Sequence, residues 1–223
     1  MRLQNETMLV TGGAGVLGQA VAEVANSQGA TMHLLDIVPD YQSDLGAYHE
    51  VDLTDAGALA STLDAIGEFS AVANIAGGFD MGPNVYETED AMWEGMFKIN
   101  VTTLRRMITA AVPRLIANGG GSIVNVGALG ALRGTGAMGA YTAAKSTVMR
   151  LTEALSDEVR HQGVNVNAVL PSLIDTPRNR ADMPDADHDT WVSPTELAQV
   201  VCFLASNDAK AVHGALVPVS GLV

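Results

Sequence analysis

Tyr141 and Lys145 stand four residues apart within Gly139 to His161, a segment of helical length and spacing, so both side chains fall on one helix face. A lysine ammonium beside a phenol stabilises the phenolate and lowers the tyrosine pKa from its ordinary value near 10, which suits the hydroxyl to proton transfer. The same pair also occurs on exposed helix surfaces, so other residues must decide. Thr11-Gly12-Gly13-Ala14-Gly15-Val16-Leu17-Gly18 closes a short apolar run and leads straight into a helical pattern. Glycines in that setting permit a tight turn and let backbone amides approach a pyrophosphate, whose charge the helix N-terminus favours. Asp36 closes the next run, Met32 to Leu35, about 20 residues on, where a carboxylate accepts hydrogen bonds from an adenosine ribose. Its charge repels a 2′-phosphate, and no Lys or Arg stands within the glycine loop, so NAD(H) is expected over NADP(H). A glycine turn and a solvated strand-end carboxylate are the plainer alternatives for these two features.

The elements that must position these groups alternate. Short β-branched runs at Met8 to Thr11, Met32 to Leu35, Ala71 to Ile75, Ser122 to Val126, Val164 to Val169 and Leu216 to Val219 are separated by longer segments. Those segments, Gly15 to Gln28, Asp55 to Ile66, Thr88 to Ile116, Gly139 to His161 and Pro194 to Ser206, have helical spacing. The alternation predicts an α/β fold, a parallel sheet with helices on both faces. Ser193-Pro194 reads as a capped helix start. Asp175 to Val192 breaks the rhythm and reads as a surface loop or lid.

A chain of 223 residues with 48% hydrophobic content buries one sizeable core, so residues 1 to 223 are read as a single domain. The net charge of −13 opposes nucleic acid and anionic lipid as partners. No run of 18 apolar residues occurs, the first residues are polar, and Cys202 is the lone cysteine. A cytoplasmic protein is expected, with Asn5-Glu6-Thr7 and Asn100-Val101-Thr102 chance sequons. The five histidines lack ligand spacing, so no metal site is expected.

Thr11 to Gly18, Asp52-Leu53, Asn74-Ile75-Ala76-Gly77, Asn100, the pair Tyr141 and Lys145, and Pro171 through Thr176 resemble, in order, the motif set of the short-chain dehydrogenase/reductase family. The resemblance covers nearly the whole chain and implies one Rossmann-type doubly wound sheet of about seven strands. It implies that Gly12, Ala14, Gly15, Val16, Leu17, Gly18, Asp36, Ile37, Asp52, Leu53, Asn74, Ala76, Gly77, Pro171, Ile174 and Thr176 bind NAD(H). Among them Asp52 and Leu53 would contact the adenine, and Ile174 and Thr176 the carboxamide. Lys145 would hold ribose hydroxyls, and Asn100 a water that extends the proton relay. The helices within Thr88 to Ile116 and Gly139 to His161 would pair in a homodimer or homotetramer.

This family usually carries a substrate-orienting serine thirteen positions before the tyrosine, and that position here is Ala128. Losing one preorganised donor costs about 2.7–4 kcal/mol of transition-state stabilisation, so an ordinary ketone is a poor substrate unless Thr135, Thr142 or Ser172 substitutes. The glycine loop also has Gly15-Val16 where the family places its glycine one residue later, and Ser172 follows Pro171 where glycine is common. These departures resemble dihydropteridine reductases, as do Asp175-Thr176-Pro177-Arg178-Asn179-Arg180, Met183-Pro184, Trp191 and Gly77-Gly78-Phe79, although Asn100 departs from that subgroup. Met138 and Met183 would flank a flat substrate, and Trp191 would either close over it or pack internally. The resulting expectation is an NADH-dependent reductase of a quinonoid dihydropterin or similar activated planar acceptor. The alternatives are an alcohol or ketone dehydrogenase with a substitute hydroxyl, and a non-catalytic NAD(H)-binding protein.

Overall fold

The computed structural model describes residues 2–223. Strands β1 (Thr7–Thr11), β2 (Thr31–Asp36), β3 (Ala47–Glu50), β4 (Ala71–Asn74), β5 (Gly121–Val126), β6 (Val164–Pro171) and β7 (Leu216–Val219) form one parallel sheet in the order β3-β2-β1-β4-β5-β6-β7. The order reverses between β1 and β4, and the crevice beyond the carboxyl ends of these two strands is where such sheets bind ligands. Thr11 pairs with Asn74 at that point, which sets the glycine loop beside the end of β4.

Alternate residues of the central strands face opposite layers, and both layers are apolar because parallel strands are covered on both sides. Met8, Val10, Met32 and Leu34 pack against α1 (Val16–Ser27) and α7 (Pro194–Leu204). Leu9, Leu35, Val72 and Ile123 pack against α2 (Ala56–Ile66), α4 (Thr103–Ala117) and the C-terminal part of α5 (Gly139–Val159). Ser193 caps α7 as expected, in a full capping box with Glu196.

Three elements differ from the sequence reading. β3 has a half-exposed sequence, Ala-Tyr-His-Glu, and as an edge strand carries no apolar run. The segment read as one helix from Thr88 to Ile116 is α3 (Asp90–Phe97), a π-helical turn Lys98–Thr102, and α4. Such a turn leaves no mark on the hydrophobic period. Within Asp175 to Val192 lies a six-residue helix, α6 (Pro177–Asp182), started by Thr176 as cap and Pro177 at its first position.

Candidate active site

The glycine loop folds against β2. Asp36 Oδ2 accepts from the Ala14 N–H at 2.9 Å and Oδ1 from the Ile37 N–H at 2.7 Å, so the carboxylate organises the loop. Thr11 Oγ1 accepts from the N–H groups of Ile75 and Ala76, both at 3.1 Å, and ties the loop to the end of β4. Gly18 is held by packing: a Cβ there would stand 2.1 Å from the Gly12 carbonyl oxygen. Gly15 has no comparable constraint, because its φ of −78° and ψ of 165° suit any residue. Its Cβ would meet only the Gly12 oxygen, at 3.3 Å. Val16 opens α1 half exposed, and Leu17 packs inward against the core.

Beyond β3, Thr54 donates to Asp52 Oδ1 through its N–H and its hydroxyl, each at 2.8 Å. Those bonds, with some help from Lys98, hold the Asp52 carboxyl below the ordinary carboxylate range. Leu53 is buried in the core beneath it. Across the crevice Pro171 ends β6, Ile174 bridges to Val192, and Thr176 Oγ1 accepts from the Asn179 N–H at 3.2 Å.

Helix α5 is anchored through its lysine. Lys145 is buried, donates from Nζ to the Val126 carbonyl at the end of β5 at 2.9 Å, and is lowered by burial to about 8. Burial raises the Tyr141 phenol to about 12. The sequence expectation was the opposite for tyrosine. The reason is that desolvation dominates a phenol packed edge-on against Phe79, ring centroids 4.8 Å apart, while the Lys145 proton is directed at a carbonyl. Ala128 is buried in a cluster with Ala131, Met149 and Leu170, and Tyr141 packs against that cluster. The fold therefore does bring the tyrosine and the missing-serine position together. Met138 sits just ahead of α5 as its N-cap.

Asn100 lies in the π turn, which turns it inward and buries it. Its Oδ1 accepts from the Gly78 N–H at 3.1 Å, and its Nδ2 donates to the carbonyls of Gly78 at 3.0 Å and Met96 at 3.1 Å. Both side-chain N–H groups are thereby used, so the amide has no donor left for the relay water expected from sequence. A Cβ on Gly77 would meet Asn100 Oδ1 at 2.8 Å and Lys145 Nζ at 3.2 Å, so the bare glycine keeps open the space where these groups converge.

Trp191 is buried, with its ring edge-on to His188 at 4.5 Å inside its own segment, and His188 meets the Met183 carbonyl at 2.9 Å. Of the scattered histidines, His33 and His49 meet across β2 and β3, Nδ1 to Nε2 at 2.9 Å, both lowered chiefly by burial. Among the described residues no group of three or more His, Cys, Asp or Glu could hold a metal ion, and no helix is long and apolar enough to cross a membrane.

One polar chain was not found from sequence. Asn74 Nδ2 donates to Asn125 Oδ1 at 2.9 Å, and Asn125 Nδ2 donates to Thr152 Oγ1 on α5 at 2.9 Å, all buried. An asparagine inside the apolar run Ser122 to Val126 was the available signal. Asn74 Oδ1, beside the glycine loop, is buried without a protein partner. That orphan acceptor, the unobstructed face of Gly15 and the opening at Gly77 fit a dinucleotide lying across the crevice.

The family model described as enoyl-(acyl carrier protein) reductase, adh_short_C2, matches residues 12–221. The chain belongs to the short-chain dehydrogenase/reductase family. It is 29% identical over 243 residues to the 2,5-dichloro-2,5-cyclohexadiene-1,4-diol dehydrogenase LinX of Sphingobium indicum, covering 99% of this chain and 96% of that one. It is 28% identical over 240 residues to the 3-oxoacyl-[acyl-carrier-protein] reductase FabG of Vibrio harveyi, covering 99% and 98%. Among solved structures, a short-chain type dehydrogenase/reductase from Mycobacterium ulcerans superposes with a TM-score of 0.91 at 26% identity, covering 100% of this chain and 90% of that one. Carveol dehydrogenase from Mycobacterium avium in complex with NAD superposes at 0.88 and 26% identity, covering 99% and 98%. This short-chain oxidoreductase is thus NAD(P)-dependent, with the doubly wound sheet of its relatives.

Proposed function

We propose that this enzyme is an NADH-dependent reductase of an activated planar acceptor such as a quinonoid dihydropterin. The observation that carries the reading is Ala128, which presents a methyl in the cluster that packs on Tyr141. Two of the three candidate substitutes are engaged elsewhere: Thr142 Oγ1 donates to the Met138 carbonyl at 2.9 Å and Ser172 Oγ to the Ser220 carbonyl at 2.7 Å. Thr135 lies on the exposed loop before α5. An acceptor conjugated through C=N bonds develops little localised oxyanion and tolerates the loss of that donor, whereas a simple ketone does not.

When bound, reduced nicotinamide supplies hydride. The chain's residues bind, orient and protonate around it. Asp36 favours the unphosphorylated ribose, the glycine loop and the N-terminus of α1 receive the pyrophosphate, and Asn74, Gly77 and Lys145 line the ribose side. Tyr141, held near 12 by burial, serves as the proton donor in reduction. Asn100 acts as a clamp that holds the Gly78 turn. Asp175 to Val192 forms the substrate lid of a single 1–223 domain. Buried Cys202 suits a cytoplasmic setting, and α4 and α5 provide the pairing face of a homodimer or homotetramer.

Ala128→Ser tests the reading. One added oxygen at this strand end costs below about 1–2 kcal/mol of stability. It should raise kcat/KM for simple ketones about tenfold or more while leaving the dihydropterin rate level or lower. Equal improvement with both acceptors would mark Ala128 as damage to a general site and refute the reading.

A further inference from the structure

The mouth of the site narrows the acceptor class. Six of the eleven large apolar side chains exposed among the described residues are Phe79, Met81, Val85, Tyr86, Ile99 and Leu132, and they gather on segments flanking Tyr141. Phe79 packs on the Tyr141 ring, and Ile99 lies against Gly78. Val85 meets Gly139, at the start of α5, and the Gly82 N–H donates to the Ala137 carbonyl at 2.9 Å, which joins the two loops. Leu132 ends the short helix that begins just after Ala128. A gathering of exposed apolar side chains around one reactive group marks a ligand surface rather than the usual scatter of single apolar residues. The exposed charges bordering it, Asp80, Glu87, Glu89 and Asp90, outnumber Arg133, on a chain of net charge −13. Although Lys98 adjoins Ile99, this rim is acidic on balance and disfavours anionic acceptors, and its apolar side chains offer the polar edge of a pterin no hydrogen bond.

From this we infer that the acceptor is a neutral, apolar quinone, an inference that rests on the activated-acceptor reading above. Hydride, two electrons with one proton, makes an O–H bond at one quinone oxygen as that C=O π bond breaks. The ring becomes aromatic, and its electrons place a negative charge on the second oxygen. That phenolate takes a proton from Tyr141 Oη or from solvent, so the product is the hydroquinone and the cofactor is oxidised by the same two electrons. A phenolate has an ordinary pKa near 10 and spreads its charge over the ring, so it needs no hydroxyl at position 128.

The test compares NADH oxidation, without oxygen, against four acceptors: 2-methyl-1,4-naphthoquinone, its sulfonated analogue, a quinonoid dihydropterin and cyclohexanone. NADH binding is measured separately by fluorescence, and quinone binding by quenching of tryptophan, since Trp93 lies near Gly139. We expect kcat/KM for the apolar quinone to exceed those for the sulfonated quinone and the pterin by about tenfold or more. Val85→Asp with Leu132→Asp, both at exposed positions, should raise KM and the quenching Kd for the apolar quinone about tenfold, with NADH affinity held within about twofold. A pterin or sulfonated quinone reduced as well as the apolar quinone overturns the inference and leaves the activated-acceptor reading standing. Cyclohexanone as the best acceptor, or NADH bound without turnover of any acceptor, overturns both. Unchanged quinone binding in the folded double variant overturns the rim as the recognition surface.

Discussion

The glycines of the loop divide into those the fold requires and one it does not, and paired substitutions separate the two. In Gly18→Ala the new Cβ stands 2.1 Å from the Gly12 oxygen and 2.9 Å from Gly12 C and Gly13 Cα, all backbone, so α1 must move off the sheet. Overpacking of this kind costs about 1–3 kcal/mol or more, and at about 2–4 °C per kcal/mol for a chain of this size the melting temperature falls by roughly 2–12 °C. In Gly15→Ala the backbone is already in an extended conformation open to alanine, and the single contact, 3.3 Å, is relieved by a few tenths of an ångström. Gly→Ala at a permissive φ returns about 0.4–1 kcal/mol through the unfolded chain, so the melting temperature should not fall and should rise by at most roughly 4 °C. With the pyrophosphate assigned to this loop, the methyl is expected to crowd its approach to the amides. Losing one charge-assisted hydrogen bond there, about 1.5–3 kcal/mol, weakens NADH binding by about ten- to more than a hundredfold. Calorimetric melting and NADH fluorescence titration of both variants check this. If Gly15→Ala melts as early as Gly18→Ala, or binds NADH like the parent, the assignment of Gly15 to the cofactor face is wrong.

Asp36→Asn keeps an oxygen for the Ala14 N–H but removes the charge, so it should narrow the gap between NADH and NADPH affinities with little thermal change. Asp36→Ala frees the loop and should weaken both cofactors, and equal behaviour of the two variants would refute the anchoring role. Lys145→Met should abolish turnover yet raise stability at pH 7. The folded chain holds this lysine near 8 against an ordinary 10.5, a cost of about 3 kcal/mol, from which about 1 is subtracted for the lost bond to Val126. The cost is complete below pH 8, shrinks as pH rises towards 10.5 and vanishes above it, so chemical denaturation should show the advantage fading across that window.

The sheet was legible because its central strands are covered on both faces and so must be continuous apolar runs, while β3 was hidden by being a half-exposed edge. The placement of the glycine loop, Asp36, Tyr141 and Lys145 was legible because it depends on spacing along one element or across one turn. What was not legible depends on neighbours from elsewhere in the chain. The phenol's upward shift comes from burial among neighbours that include Phe79, sixty-two positions before it in the chain, and the engagement of Asn100 comes from a π turn that a hydrophobic period cannot reveal. Trp191 was undecided for the same reason: whether it faces a cleft or its own segment is settled by His188.

The energetic asymmetry between positions 128 and 145 bears on whether this site still works. A serine at position 128 would sit in the active-site cluster at little cost, and it is absent. A lysine buried to the point of losing much of its basicity costs the fold about 3 kcal/mol, a large share of ordinary stability, and it is present. Its bond to the Val126 carbonyl offsets only part of that cost, and an apolar residue would fill the position more favourably. Because Lys145 is also assigned to the ribose side, a protein that merely stored the cofactor would keep it too, and the reading of a working site turns on Tyr141 beside it. Tyr141 kept in front of Lys145, with the hydroxyl at Ala128 gone, is the pattern expected of a site for an acceptor that needs a proton but no oxyanion donor.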